Sequence, residues 1–176
     1  MALPKGDLST VDMVEAVMPW LPPSETEVRR SDAAAFAAGG LDCAQVLHEF
    51  FMLKVALGLE YGLGLLERLG LRPEGLEQYQ VFYVRRLAEG LVGRFPGEGE
   101  AALGILAVRL KAYGNALRLG LHPEDPHLAV ADAFTRFCKA ADNNELVCLC
   151  LDACRDMHGH FLNSLGDLGF SLEGGT

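Results

Sequence analysis

Residues 42–69 constrain this chain more than any other stretch. At helical period they are apolar almost all the way round. Val46, Leu47, Phe50, Phe51, Met52, Leu53, Val55, Leu57, Leu59, Tyr61, Leu63, Leu65, Leu66 and Leu69 leave one narrow acidic stripe, made by Asp42, Glu49, Glu60 and Glu67. A helix with so little polar surface has to be wrapped by other helices. Asp42 with Gln45 three residues on has the form of a capping box, and Gly70, Leu71 and Pro73 have the form of a Schellman stop. About 27 residues at about 1.5 Å each make a rod of roughly 40 Å, long enough to be the central post of a small domain. Glu49, Lys54 and Glu60 interrupt the run, so it holds no stretch of about 18 uncharged apolar residues. It reads as a core helix and not as a membrane span. Gly58, Gly62 and Gly64 each cost about 1 kcal/mol relative to alanine in a helix interior, which predicts that a neighbouring backbone approaches closely there.

At 176 residues the chain is most simply one domain, able to bury roughly 70% of its unfolded surface. The five cysteines, Cys43, Cys138, Cys148, Cys150 and Cys154, are an odd number set in apolar helical patterns, which favours a reducing, cytoplasmic setting over a disulfide framework. Residues 1–18 carry one lysine and no apolar core of a signal peptide. A net charge of -9 and a pI near 5.0 argue against nucleic acid as a partner, because that affinity depends on concentrated Lys and Arg. The pairs Arg29-Arg30 and Arg85-Arg86 are too short to change this. Half the residues are hydrophobic and the mean hydropathy is +0.17, so apolar surface is expected to remain for a partner protein or a second copy in a homodimer.

Along the rest of the chain, Ser9 with Asp12 starts a short helix carrying Val11, Val14, Val17 and Met18, ended by Pro19, Pro22 and Pro23. Ser24 with Glu27 opens an alanine-rich second helix that Gly39-Gly40 break. Residues 1–40 thus read as an arm or lid. After the central helix, 76–92 turns Leu76, Tyr79, Tyr83, Leu87 and Leu91 to one side and leaves Phe82 among polar residues, as a chance exposure or an interface anchor. Helix 101–119 faces Leu103, Leu106, Leu110 and Leu117 inward and Lys111, Asn115 and Arg118 outward. Asp125 caps a further helix with Pro126 in its first turn, burying Leu128, Ala131, Phe134, Phe137 and Cys138. Asp142 and Glu145 open the last helix, which runs to about residue 168. Residues 68–74 and 118–124 share Arg-Leu-Gly-Leu-x-Pro-Glu, 50 residues apart, and 167–170 echoes it. A repeat of helix pairs and convergence of helix stops before a proline both account for this. No strand-period alternation occurs, so the expected class is all-α: an antiparallel bundle of five to six helices around 42–69, with a core over 41–170 and a disordered tail at 171–176.

Chemistry is densest between Cys148 and His160. On a helix Cys150, Cys154 and His158 share a broad face, and Cys138 on the preceding helix is a fourth candidate for a zinc-like ion that takes sulfur and nitrogen ligands. The same face carries Leu146, Ala153, Met157, Phe161 and Leu165, so its cysteines read equally as small hydrophobes of the core. Geometry disfavours a disulfide between Cys150 and Cys154, since Cβ atoms four apart on a helix lie about 5 to 6 Å apart and a disulfide wants about 3.8 Å. His48, with Glu49 and Met52, is the candidate lining of a pocket for an apolar small ligand. The acidic stripe reads as a solvated seam or as carboxylates aimed at a basic partner. No Glu has a His three residues on, which excludes a di-iron bundle site. No phosphate loop, nucleophile elbow, His-Glu-x-x-His or dinucleotide fingerprint is present.

Residues 125–134, Asp-Pro-His-Leu-Ala-Val-Ala-Asp-Ala-Phe, follow a helix ending in Gly-Leu and resemble the Asp-His-Leu segment of the TorD and NarJ group of all-helical molybdoenzyme chaperones. Pro126 here separates the Asp and His that the family keeps adjacent. The resemblance spans some 30 residues and implies a maturation chaperone that retains a twin-arginine leader peptide. It assigns no site residue. The leading expectation from the residues themselves is a non-enzymatic bundle that binds a partner protein or an apolar small ligand between its helices, with a metal or cofactor protein built on Cys150, Cys154 and His158 as the alternative.

Overall fold

The computed structural model describes residue 14 and residues 30–68, 70–94, 99–119 and 125–167. Among these, six helices run in order: α1 (Arg30–Ala38), α2 (Cys43–Arg68), α3 (Pro73–Arg94), α4 (Gly99–Leu119), α5 (Pro126–Phe137) and α6 (Asn144–Asp167), with no strand. The chain is an all-α helical bundle. Helix α2 touches each of the other five, and all of 49–59 is buried within it. The wrapping that its composition requires is therefore met through this middle stretch.

The ends of α2 follow local chemistry. Asp42 Oδ1 accepts from the backbone N–H groups of Ala44 (3.0 Å) and Gln45 (3.3 Å), satisfying two of the donors a helix start leaves open. The expected reciprocal half of the capping box does not form. Gln45 instead donates its side-chain amide to the carbonyl of Phe137 at 2.8 Å, a tertiary bond that joins α2 to the end of α5. At the other end the N–H of Leu71 reaches the carbonyl of Leu66 (2.9 Å) across Gly70 at φ +81, the Schellman geometry that glycine accepts without strain.

Cross-helix partners fix the directions. Tyr79 donates to the Gly58 carbonyl (3.3 Å) and Tyr83 to the Val55 carbonyl (2.9 Å), so α3 runs against α2. Arg109 meets Glu49 and Arg118 meets Glu60, so α4 runs with it. Phe134 meets Phe50 while His127 meets Tyr61, so α5 runs against it again. Consecutive helices thus alternate in direction, as short connections demand.

The expected approach of a neighbouring backbone is found at neither Gly62 nor Gly64; at Gly62 a side chain comes close instead. A Cβ on Gly62 would fall on the Tyr79 hydroxyl, whereas one on Gly64 would meet nothing within 4 Å. Burial departs from the expected pattern at Leu128, which is 36% exposed, while Ala131, Phe134 and Cys138 are buried. The last helix is capped one residue later than expected, by Asn143, whose Oδ1 accepts from Leu146 N–H at 3.0 Å. Asp142 is in the left-handed region, at φ 69, and serves the turn. Val14, from the first expected helix, is helical and buried. The rest of that helix, its prolines, the Ser24 cap, the turn at 120–124 and the tail 171–176 lie outside the described residues.

Candidate functional site

Two ion pairs join α2 to α4. Arg109 forks onto Glu49, with Nε 2.6 Å from Oε2 and Nη2 on Oε1. Its guanidinium carbon lies 3.7 Å from the centroid of the Phe137 ring, a stacked cation–π contact that arginine's flat group allows. Glu49 is only 3% exposed. The buried Tyr113 hydroxyl sits near this pair without a hydrogen-bond partner. Burial, with Glu49 and the nearby cysteines adding, holds that phenol well above its ordinary range. Eleven residues further along α2, Arg118 forks onto Glu60 at 2.8 and 2.9 Å. Gly114 leaves the space for this carboxylate, since a Cβ there would stand 2.5 Å from Glu60 Oε1. The middle of the acidic stripe, Glu49 and Glu60, is thus neither a solvated seam nor aimed outward. Asp42, exposed, caps its own helix, Glu49 and Glu60 take arginines of α4, and Glu67 is exposed at the edge of the second lobe described below.

Above Glu60, α3 and α4 diverge and leave an open groove. Its larger lobe, about 870 Å³, has Leu59, Leu103, Leu106 and Leu110 in its walls with Val81 and Val84 opposite, and Glu77, Arg85, Lys111 and Arg118 at the rim. Val81, in the wall, is 60% exposed. A second lobe of about 680 Å³ shares Glu60, Glu77, Gln80 and Arg118 with the first and adds Tyr61, Leu63, Glu67, Leu76, Leu117 and His127. On the outer side of α3, Val81 also joins Phe82 in a ledge with Glu74, Glu77 and Gln78. The exposed Phe82 therefore has apolar company.

The wall of the second lobe is a chain of polar contacts set up by the start of α5. Asp125, extended at φ -152, accepts from His127 N–H (2.9 Å), and the same Oδ1 lies 3.2 Å from His127 Nδ1. In the neutral ring the proton is therefore on Nδ1 and Nε2 accepts. Tyr61 Oη lies 2.9 Å from that Nε2 and 3.4 Å from the carbonyl of Cys154. Burial, with Cys154 and Cys150 adding, keeps this phenol protonated well above its ordinary range. The His158 ring lies tilted against the Tyr61 ring with centroids 5.2 Å apart.

The residues singled out in the sequence are distributed differently. Met52 is fully buried, Glu49 is consumed by Arg109, and His48 is half-buried. None of the three lines the lobes just described. Cys150 and Cys154 are fully buried, Cys138 is nearly so, and His158 is exposed. Hydrogen bonding with Cys154, then burial, raises the Cys150 thiol far above its ordinary range, whereas metal ligation uses the thiolate. Among the described residues no three His, Cys, Asp or Glu side chains converge in a way that could hold a metal ion. Sequence reasoning missed Arg109, Tyr61 with His127, and the groove. The one available signal was Arg109 itself, a charge flanked by Leu106, Leu110 and Tyr113 on an inward face.

Comparison with protein-family models, with curated proteins and with solved structures found no match for this chain. The likeness of 125–134 to the TorD and NarJ group rests on that segment alone. No helix among the described residues is long and apolar enough to cross a membrane.

Proposed function

We propose that this chain is a non-enzymatic helical binding module whose α3–α4 groove receives the apolar face of a helix from a partner protein. The observation that carries the reading is Val81. It stands 60% exposed on the wall of an 870 Å³ concavity lined by leucines and valines and rimmed by charges. Helix-in-groove recognition uses this construction, with apolar anchors spaced one turn apart. On α3 the groove-lining residues 77, 80, 81, 84, 85 and 88 span about 16 Å at about 1.5 Å each, so an occupant of three turns is matched to the larger lobe. None of the five cysteines is joined in a disulfide, and the setting we assign is the reducing cytosol.

The test uses an end-blocked amphipathic peptide of sixteen residues with leucines on one face, labelled for fluorescence anisotropy, against the full chain. Wild type is expected to bind in the micromolar range and Val81→Glu at least tenfold more weakly. Circular dichroism is expected to show the variant as helical as the parent, because the altered side chain is exposed. Equal binding by parent and variant would overturn the reading, as would no binding at all. Native mass spectrometry of the same sample would overturn it in another way, by showing a dimer that Val81→Glu dissociates, or a bound lipid, in place of a free groove.

A further inference from the structure

The two lobes of the groove differ in charge, and the difference fixes which way an occupant lies. The larger lobe sets Glu60 and Glu77 against Arg85, Lys111 and Arg118, while the second sets Glu60, Glu67 and Glu77 against Arg118 alone. Arg118 and Glu60 satisfy each other, and they stand in both lobes. Arg85 is likewise held by Glu89 of its own helix, at 3.2 Å. What remains is Lys111 midway along α4 and an anionic end where α2 ends and α3 begins, with Glu67 and Glu77 both exposed.

Resting on the binding reading above, we infer that the bound helix lies parallel to α3, with cationic side chains in its N-terminal turn against Glu67 and Glu77 and its C-terminal end toward Lys111. Two fields agree in this orientation. The partner's basic side chains meet the unpaired carboxylates, and its own dipole places the positive end beside them and the negative end near Lys111. In the reverse orientation the dipole opposes both ends. A basic first turn is also a poor start for an isolated helix, so such a segment becomes helical on docking.

The test compares two end-blocked sixteen-residue peptides of identical composition and leucine pattern, one with two lysines in its first turn and one with them in its last. Anisotropy titrations at low salt are expected to give at least fivefold tighter binding for the first. The preference should shrink at 0.5 M salt, where exposed charges are screened, and invert with Glu67→Lys/Glu77→Lys. Equal affinities, or a preference for the second peptide that these substitutions abolish, would overturn the orientation while leaving the groove intact. Failure of both peptides, with Val81→Glu without effect, would instead remove the groove reading on which the orientation rests.

Discussion

The two Glu–Arg pairs between α2 and α4 have the same donors, the same acceptors and the same forked geometry, yet they are different objects. At Glu49 and Arg109 the side chains are 3% and 18% exposed; at Glu60 and Arg118 they are 12% and 62%. The first is an interior pair, with Phe137 stacked on the guanidinium and Tyr113 and Cys138 close by. The second is a rim pair between two lobes of an open groove. Water decides the difference. An exposed pair gives up little solvation and gains little, whereas a buried pair has spent its solvation and depends on both partners being present. The interior pair therefore fixes how α4 seats on the central helix. The rim pair is placed where a ligand could reach it.

The sharpest way to break this contrast is Arg109→Met, which leaves Glu49 buried and unpaired. A loss of about 3 to 5 kcal/mol is expected, read as a fall in Tm of about 10 °C or more for a chain of this size. Adding Glu49→Met to Arg109→Met should recover most of that loss, because an apolar pair of similar volume carries no desolvation cost. A single substitution costing under about 1 kcal/mol would show that the interior pair is no different from an exposed one.

Raising the pH probes the same region without mutation. Burial, with Glu49 adding, pushes the Cys138 thiol from its ordinary 9.0 up to about 12. The folded chain then holds a proton that the unfolded chain gives up, so stability is level below about pH 9 and falls as the pH climbs from 9 toward 12. The nearby Tyr113 phenol, also raised, adds to the decline at its upper end. Thermal melts from pH 7 to 11 should show the fall, and Cys138→Ala should make its first part shallower without abolishing it, because the buried Cys150 thiol, also raised, contributes over the same range. A Tm independent of pH up to 11 would contradict the burial of these groups.

The smallest expected effect belongs to the rim. Arg118→Ala should cost no more than about 1 kcal/mol, given its exposure. It also frees a carboxylate in both lobes, so the same variant should bind the lysine-bearing probe peptide at least twofold more tightly. A large loss of stability with unchanged peptide binding would place Arg118 with Arg109 and erase the distinction.

Much of the architecture was legible from residue order. The central helix was bounded to within a residue at each end, because Asp42 and Gly70 act on the backbone beside them. The inward faces with Tyr79 and Tyr83, and with Cys150, Cys154 and Met157, followed from period alone. The candidate site was not legible. Val81 and Lys111 look like ordinary outward residues on their own helices, and only the separation of α3 from α4 turns them into a groove. Tyr61 and His127 stand 66 residues apart, and no spacing rule connects them. Gln45 shows the limit at short range: its position announced a capping role, and the carbonyl of Phe137 took its side chain instead.

The sequence by itself determined that this chain is a bundle of helices wrapped around α2, and where that helix begins and ends. Periodicity, capping and the hydrophobic effect act locally or without direction, so a single strand of text contains them. Only the tertiary structure decided which charges face water and which face each other. The worth of a charge depends on what surrounds it, and at Glu49, Glu60 and Glu67, three carboxylates on one stripe of one helix, the surroundings are an interior arginine, a rim arginine and open solvent.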